Sequence, residues 1–480
     1  MELNRTTTNV NERPIKVLQF GEGNFLRAFI NWMIHEMNEK ADFNAGVAVV
    51  QPIAQGLGEM LKAQDGLYHL LLNGIEKGKL INKRMLVDCI QEVNNPYEDY
   101  QAFIHLSEIE TLEFVFSNTT EAGISYKEGD LLNQVQDSFP GKLTAFLHHR
   151  FVHFNGDKDK GLVILPCELI DKNGEKLKEI ILQYAKDWNL ADTFTDWLNE
   201  ACTFYNTLVD RIVPGYPKDR IAEIQKSIGF EDKLVVEGEQ FHLFVLEGDQ
   251  KIKEQLPFEK AGLNIVVTDN QAPYRERKVR ILNGAHTLMV PVGLLAGIET
   301  VRENLENEQV CQFIDKAISE EIIPSLPPAE GILEFKDDVL DRFRNPFIKH
   351  YLKSISLNSF PKFKTRVLPS LLGYYDQKGR VPKHLVMALA ALIKLYDPNN
   401  TVAFEPQDNA DVKELLSKAW EEYASNYSNL DKVVKKVLSY SKLWEQDLNA
   451  IAQLHEGVTH YLRVIDNEGI QAILTEELYA

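Results

Sequence analysis

The chain has 480 residues, 44% of them hydrophobic and 26% charged, with 52 basic against 71 acidic residues and a formal net charge of −19. That length exceeds what a single hydrophobic core usually serves, so two large domains are expected. The acidic balance disfavours nucleic acid and anionic membrane as partners, while leaving room for a locally basic site.

The opening residues, MELNRTTTNVNE, are polar and lack the apolar run of a signal peptide. No apolar stretch approaches the length that crosses a bilayer. Cys89, Cys167, Cys202 and Cys311 are scattered without paired spacing. They suggest neither a zinc cluster nor a disulfide framework, so reduced thiols, no metal and a cytoplasmic location are expected.

Lys16 to Phe20 reads as a strand, Gly21-Glu22-Gly23-Asn24-Phe25 as a tight turn and Leu26 to Asn38 as a helix. Gly46 to Val50 is a second apolar strand, and 112–117 and 162–166 read as later ones. The periodic stretch Leu177 to Trp188 reads as a helix. This alternation predicts a parallel sheet with helices on its faces. A GxG turn after the first strand lets backbone amides approach a pyrophosphate at a helix start. Phe20, Gly21, Gly23, Asn24, Phe25 and Arg27 are therefore candidate cofactor contacts, although Leu26 replaces the third glycine and an ordinary turn is the other reading. Gln51-Pro52 stands where an acidic residue commonly holds the ribose hydroxyls of NAD. Asp65 lies farther on and suits a turn cap. Thr119, Thr120 and Glu121 follow a strand and are placed to border the nicotinamide ribose or to cap a helix.

Asn206 to Pro214 is dense in polar groups. Asn206 is a candidate oxygen ligand facing a cleft, whereas Asp210 and Arg211 suit a structural ion pair and turn anchor. Leu263 to Thr268 reads as a strand, followed by a helix beginning near Lys278. Lys278, Asn283 and His286 fall within about 140° of one another at 3.6 residues per turn. One residue can move a proton and two can bind oxygen, which is equipment for carbonyl and alcohol chemistry. From Val279 onward apolar residues recur at three and four, predicting a mainly helical second half. The segment 321–328 reads as a loop, and 345–346 and 374–380 as turns. Asn358 to Arg366 is a basic island, and Lys362, Lys364 and Arg366 are candidates for a substrate carboxylate or a solvated basic loop. The domains are expected at 1–266 and 267–480, with the active site in the crevice between them.

These landmarks together resemble the long-chain, polyol-specific mannitol dehydrogenase family of NAD-dependent enzymes. Gly21-x-Gly23-x-Phe25-x-Arg27-Ala28 looks like its nucleotide signature, and Asn206-x-x-Val209-Asp210-Arg211-Ile212-x-Pro214 its central segment. Asp269-x-x-x-Pro273-Tyr274-x-x-x-Lys278-x-x-x-x-Asn283-Gly284-x-His286 looks like its catalytic signature. The resemblance implies a Rossmann-like nucleotide-binding domain followed by a mainly helical substrate domain, with NAD as cofactor. It implies a sugar-acid substrate, with neutral polyols as the alternative, and a monomer or small homo-oligomer. By position Lys278 matches the family's catalytic lysine. Asn206 and Asn283 match asparagines that polarise the reacting oxygen. His286 matches a substrate-binding histidine and Lys362 a substrate-binding lysine. The family arginine about eight residues before that lysine has no match, since Ser354 stands there. A nucleotide-binding regulator is the alternative of another class, and the proton-transfer lysine argues against it.

Overall fold

The computed structural model describes the chain apart from residues 120–122, 329–330, 401, 403, 427–428 and 480. Two compact units emerge, one of residues 1–74 and 80–271, the other of residues 75–79 and 272–480.

The first unit is built on a six-stranded sheet. Its strands are β1 (Ile15–Phe20), β2 (Gly46–Val50), β5 (Ile90–Asn94), β6 (Phe114–Ser117), β7 (Val163–Pro166) and β8 (Thr203–Phe204). They lie in the order β5-β2-β1-β6-β7-β8, and every pair is parallel. That is the dinucleotide-binding order, in which the chain reverses direction across the sheet between β1 and β6. Alternation along the strands feeds two cores. Leu18, Phe20, Ala48 and Val50 face one layer, and Val17, Val47 and Val49 the other. Burial on both faces explains why these strands read as unbroken apolar runs.

The first unit has two smaller sheets, of whose strands the sequence showed only the one expected over 263–268. One joins β3 (Tyr68–Glu76), β4 (Lys79–Val87) and β10 (Val236–Glu239). The other joins β9 (Asn206–Asp210), β11 (Leu243–Glu247) and β12 (Ile265–Thr268), with Asn206 directly opposite Glu247. The polar segment after residue 205 is thus a strand.

The helix expected over 26–38 is broken. Asn24–Ala28 forms one short helix, Phe29 leaves helical geometry at φ −124° and ψ −74°, and Ile30–Ala41 forms the next. The second unit is helical, as its periodicity indicates. Its first helix starts at Ala272, ahead of Lys278. The presumed loop at 321–328 is helical through Ser325. The basic island is a helix, Ser359–Arg366, because Pro361 falls in its first turn, where no N–H is needed. The turn read at 374–380 is largely the end of the helix Leu368–Lys378, closed by Gly379 at φ +67°. Among the described residues no helix is long and apolar enough to cross a membrane. All four cysteines are free thiols, three of them buried.

Candidate active site

The nucleotide half begins where β1 ends. Gly21 adopts φ +114°, and a Cβ there would lie 2.8 Å from the Asn118 carbonyl oxygen. The turn therefore presses against the end of β6, at the point where the strand order reverses. Gly23 has no atom within 4 Å of where its Cβ would be. One glycine allows the turn and the other leaves open backbone, an arrangement that fits the close approach of a pyrophosphate.

The other candidates around this turn separate by burial. Phe20 is core, packed on Phe103 and Phe139. Phe25 stacks on Phe29 at 5.0 Å. Arg27 is 1% exposed and its guanidinium donates to the Leu234 and Glu22 carbonyls and to Asn24 Oδ1. It braces the turn from behind and offers no open cation, contrary to the expected contact with the cofactor. Thr119 is held by the buried Glu168, whose Oε1 accepts both its N–H and its hydroxyl at 3.0 Å. Ser117 donates to the other Glu168 oxygen at 2.9 Å. Burial raises the Glu168 carboxyl above its ordinary range, against these donors. Thr120 and Glu121 lie outside the described residues.

Asn206 is engaged differently from expectation. Its amide nitrogen donates to Glu175 Oε1 at 2.8 Å and to Glu247 Oε1 at 3.0 Å, while its oxygen accepts the Glu175 N–H. An amide nitrogen has two hydrogens, and both are taken. Glu247 Oε2 in turn accepts the Gln271 N–H at 2.6 Å. Arg211 is an anchor as expected, but through the Ala28, Gln240 and Phe241 carbonyls, with its guanidinium 3.9 Å from the Trp32 ring centre.

In the second unit, Lys278–Asn283 is a π-helical segment between the helices Ala272–Arg277 and Gly284–Leu295. The Gly284 N–H reaches back five residues to the Val279 carbonyl. Arg280, Ile281 and Leu282 are buried, whereas Lys278 and Asn283 are half-buried. Arg280 is fastened to the Ser370 hydroxyl at 2.7 Å and to that of Ser325 at 3.3 Å. Arg277 lies between the rings of Tyr274 and Phe335, 4.7 Å from each centre.

His286 lies one helical turn beyond, 8% exposed, with its ring 4.5 Å from Phe343 and 5.1 Å from His350. Its Nε2 is buried without a hydrogen-bond partner. Burial holds its pKa well below the ordinary histidine value, and the charges of Arg342, Arg366 and Lys362 act in the same direction. The ring is neutral and lies in a basic neighbourhood. Lys362 and Arg366, one turn apart on Ser359–Arg366, reach this neighbourhood together. Lys362 donates to the Ile355 carbonyl at 2.8 Å, and burial followed by Arg366 lowers its pKa. Burial likewise lowers that of Arg366. Lys364 faces elsewhere, paired with Glu445 at 2.7 Å. The sequence reading missed Arg342, His350 and Glu168, none of which belongs to a local motif.

Comparison with known proteins follows this division. Residues 15–260 match the mannitol dehydrogenase Rossmann domain and residues 270–466 the mannitol dehydrogenase C-terminal domain. The chain belongs to the mannitol dehydrogenase family and is an oxidoreductase. It is 47% identical over 464 residues to the altronate oxidoreductase of Bacillus subtilis (strain 168), covering 96% of this chain and 95% of that one. The fold matches substrate-free D-sorbitol dehydrogenase with a TM-score of 0.81 at 20% identity, covering 99% of this chain and all of the other. It also matches mannitol 2-dehydrogenase of Pseudomonas fluorescens, in a ternary complex with NAD and D-mannitol, with a TM-score of 0.67 at 19% identity over the whole of both chains.

Proposed function

We propose that the protein is an NAD-dependent altronate oxidoreductase, also called tagaturonate reductase, catalysing D-altronate + NAD+ ⇌ D-tagaturonate + NADH + H+. The observation that carries this reading is the basic neighbourhood of His286, supplied by Arg342, Lys362 and Arg366. A neutral polyol needs no such charge, whereas a sugar acid brings a carboxylate to meet it. Extensive identity to altronate oxidoreductases supports the same substrate.

When bound, NAD accepts or supplies the hydride. The chain supplies proton transfer and orientation. Lys278 takes the hydroxyl proton in oxidation and returns one to the carbonyl oxygen in reduction. Asn283 donates its amide N–H groups to that oxygen as negative charge develops. Neutral His286 hydrogen-bonds a substrate hydroxyl through its unpartnered Nε2. Arg366 and Lys362 hold the carboxylate. Both Asn206 amide hydrogens are held by carboxylates, so Asn206 can bind an oxygen ligand only after releasing one of them, of which Glu175 is the more exposed. The open backbone at Gly21 and Gly23 receives the pyrophosphate.

The test is NADH oxidation by the purified protein with tagaturonate, fructuronate and fructose. Preference for tagaturonate is expected. Preference for fructuronate or fructose would reassign the substrate, and NADH binding without turnover on any would make the chain a nucleotide-binding module.

A further inference from the structure

We propose that Glu22, between the two turn glycines, is the residue that selects NAD against its 2′-phosphorylated counterpart. The inference rests on the NAD reading above. An acidic residue at the end of β2 commonly meets the ribose hydroxyls, and Gln51 stands there instead. Gln51 is engaged with its own loop. Its Nε2 donates to the Ile53 carbonyl at 2.8 Å, and its Oε1 accepts the Gly58 N–H at 3.0 Å. A neutral amide also has no charge with which to reject a phosphate.

The carboxylate absent from β2 comes from the turn after β1. Glu22 is 8% exposed, and its Oε1 accepts the Leu57 N–H at 3.1 Å. A Cβ on Gly56 would lie 2.0 Å from that oxygen and 2.8 Å from the Gln51 carboxamide. A Cβ on Gly58 would lie 2.7 Å from Gln51 Oε1. The missing side chain at Gly56 leaves room for the carboxylate where it lies, and that at Gly58 leaves room for the Gln51 carboxamide. β1 and β2 are parallel neighbours with Phe20 opposite Val50. Glu22 and Gln51 therefore face each other across the strand ends over which the adenosine half of a dinucleotide lies.

Burial raises the Glu22 carboxyl above its ordinary value, while the Leu57 N–H and Arg27 favour its charged form. Ionised, it accepts hydrogen bonds from ribose hydroxyls and repels a phosphate in a setting with little solvent screening.

A carboxylate that only staples the loop predicts a different outcome. Glu22→Gln keeps an oxygen for the Leu57 N–H and removes the charge. Glu22→Asp keeps the charge. The experiment is fluorescence titration of the protein with NADH and with NADPH, without substrate. Wild type and Glu22→Asp are expected to bind NADH more than about tenfold tighter than NADPH, and Glu22→Gln to narrow the ratio to about threefold or less. A folded Glu22→Gln protein with the wild-type ratio would overturn the proposal. Equal wild-type affinity for the two nucleotides would overturn it without any variant. Wild type binding neither would remove the NAD reading itself, and this inference with it.

Discussion

The Gly284 N–H donates to the carbonyl of Val279, five residues back, and this bond changes the spacing of side chains along Lys278–Asn283. In an α-helix Lys278 and Asn283 would stand about 140° apart. A π-helical segment closes its hydrogen bonds at i→i+5, so residues five apart fall about one turn from each other. Lys278 and Asn283, at the two ends of the segment, are half-buried, and Arg280, Ile281 and Leu282 between them are buried. Such segments recur at functional sites.

Asn283 is expected to act on the transition state. Asn283→Ala should lower kcat by roughly 10²–10³, as loss of one oxyanion donor does, while leaving NADH affinity unchanged. Steady-state kinetics with a parallel NADH titration separates the two. Unchanged turnover with weakened NADH binding would put the residue in the cofactor site.

Arg366 and Lys362 should discriminate by charge. Arg366→Met is expected to cost about 1.5–3 kcal/mol in kcat/KM for tagaturonate, the range for hydrogen bonds to charged groups. Turnover of a neutral ketose should change much less. Equal losses on both would show that the helix Ser359–Arg366 was disturbed generally, and would count against a carboxylate contact.

The buried parallel strands were legible in the sequence because residues such as Val47 to Val50 have no solvent side to interrupt them. β4 was not, because Lys79, Lys83 and Arg84 on an exposed edge strand carry no apolar alternation. A π-helical segment has the composition of an α-helix, so the spacing of Lys278 and Asn283 was visible and their geometry was not. Arg27 belongs to a recognisable motif, but its inward turn depends on the Leu234 carbonyl, more than two hundred residues away in the chain. Arg342 and His350 reach His286 only through tertiary packing, and no local periodicity links them.

The Asn206 network makes a stability prediction. Asn206→Asp sets a third carboxylate against Glu175 and Glu247 and removes the donors that hold them. Loss of roughly 1–3 kcal/mol is expected, read by chemical denaturation at neutral pH. A variant as stable as wild type would mean that the network carries no load.

His242 should make the protein acid-sensitive. Its Nε2 accepts the Asn264 N–H at 2.8 Å, which requires an unprotonated nitrogen. Burial, and then the Arg211 guanidinium, lower its pKa to about 3. Above the unfolded value of about 6.5 the ring is neutral in both states and contributes no pH dependence. Below it the unfolded chain takes up a proton that the folded chain refuses, so stability falls as pH falls toward 3. At pH 5 the loss from this ring is about 1–2 kcal/mol. His242→Gln can still accept from Asn264 and should lose less stability between pH 7.5 and 5. An identical loss in both proteins would exclude His242 as a cause.

The central claim is that Lys278 moves the proton. The direct measurement is turnover of Lys278→Ala with tagaturonate and NADH across pH, beside an NADH titration of the same protein. Turnover is expected to fall by about 10²–10⁴, the range for general acid–base catalysis, with NADH affinity intact. Near-normal turnover across the pH range would contradict the mechanism.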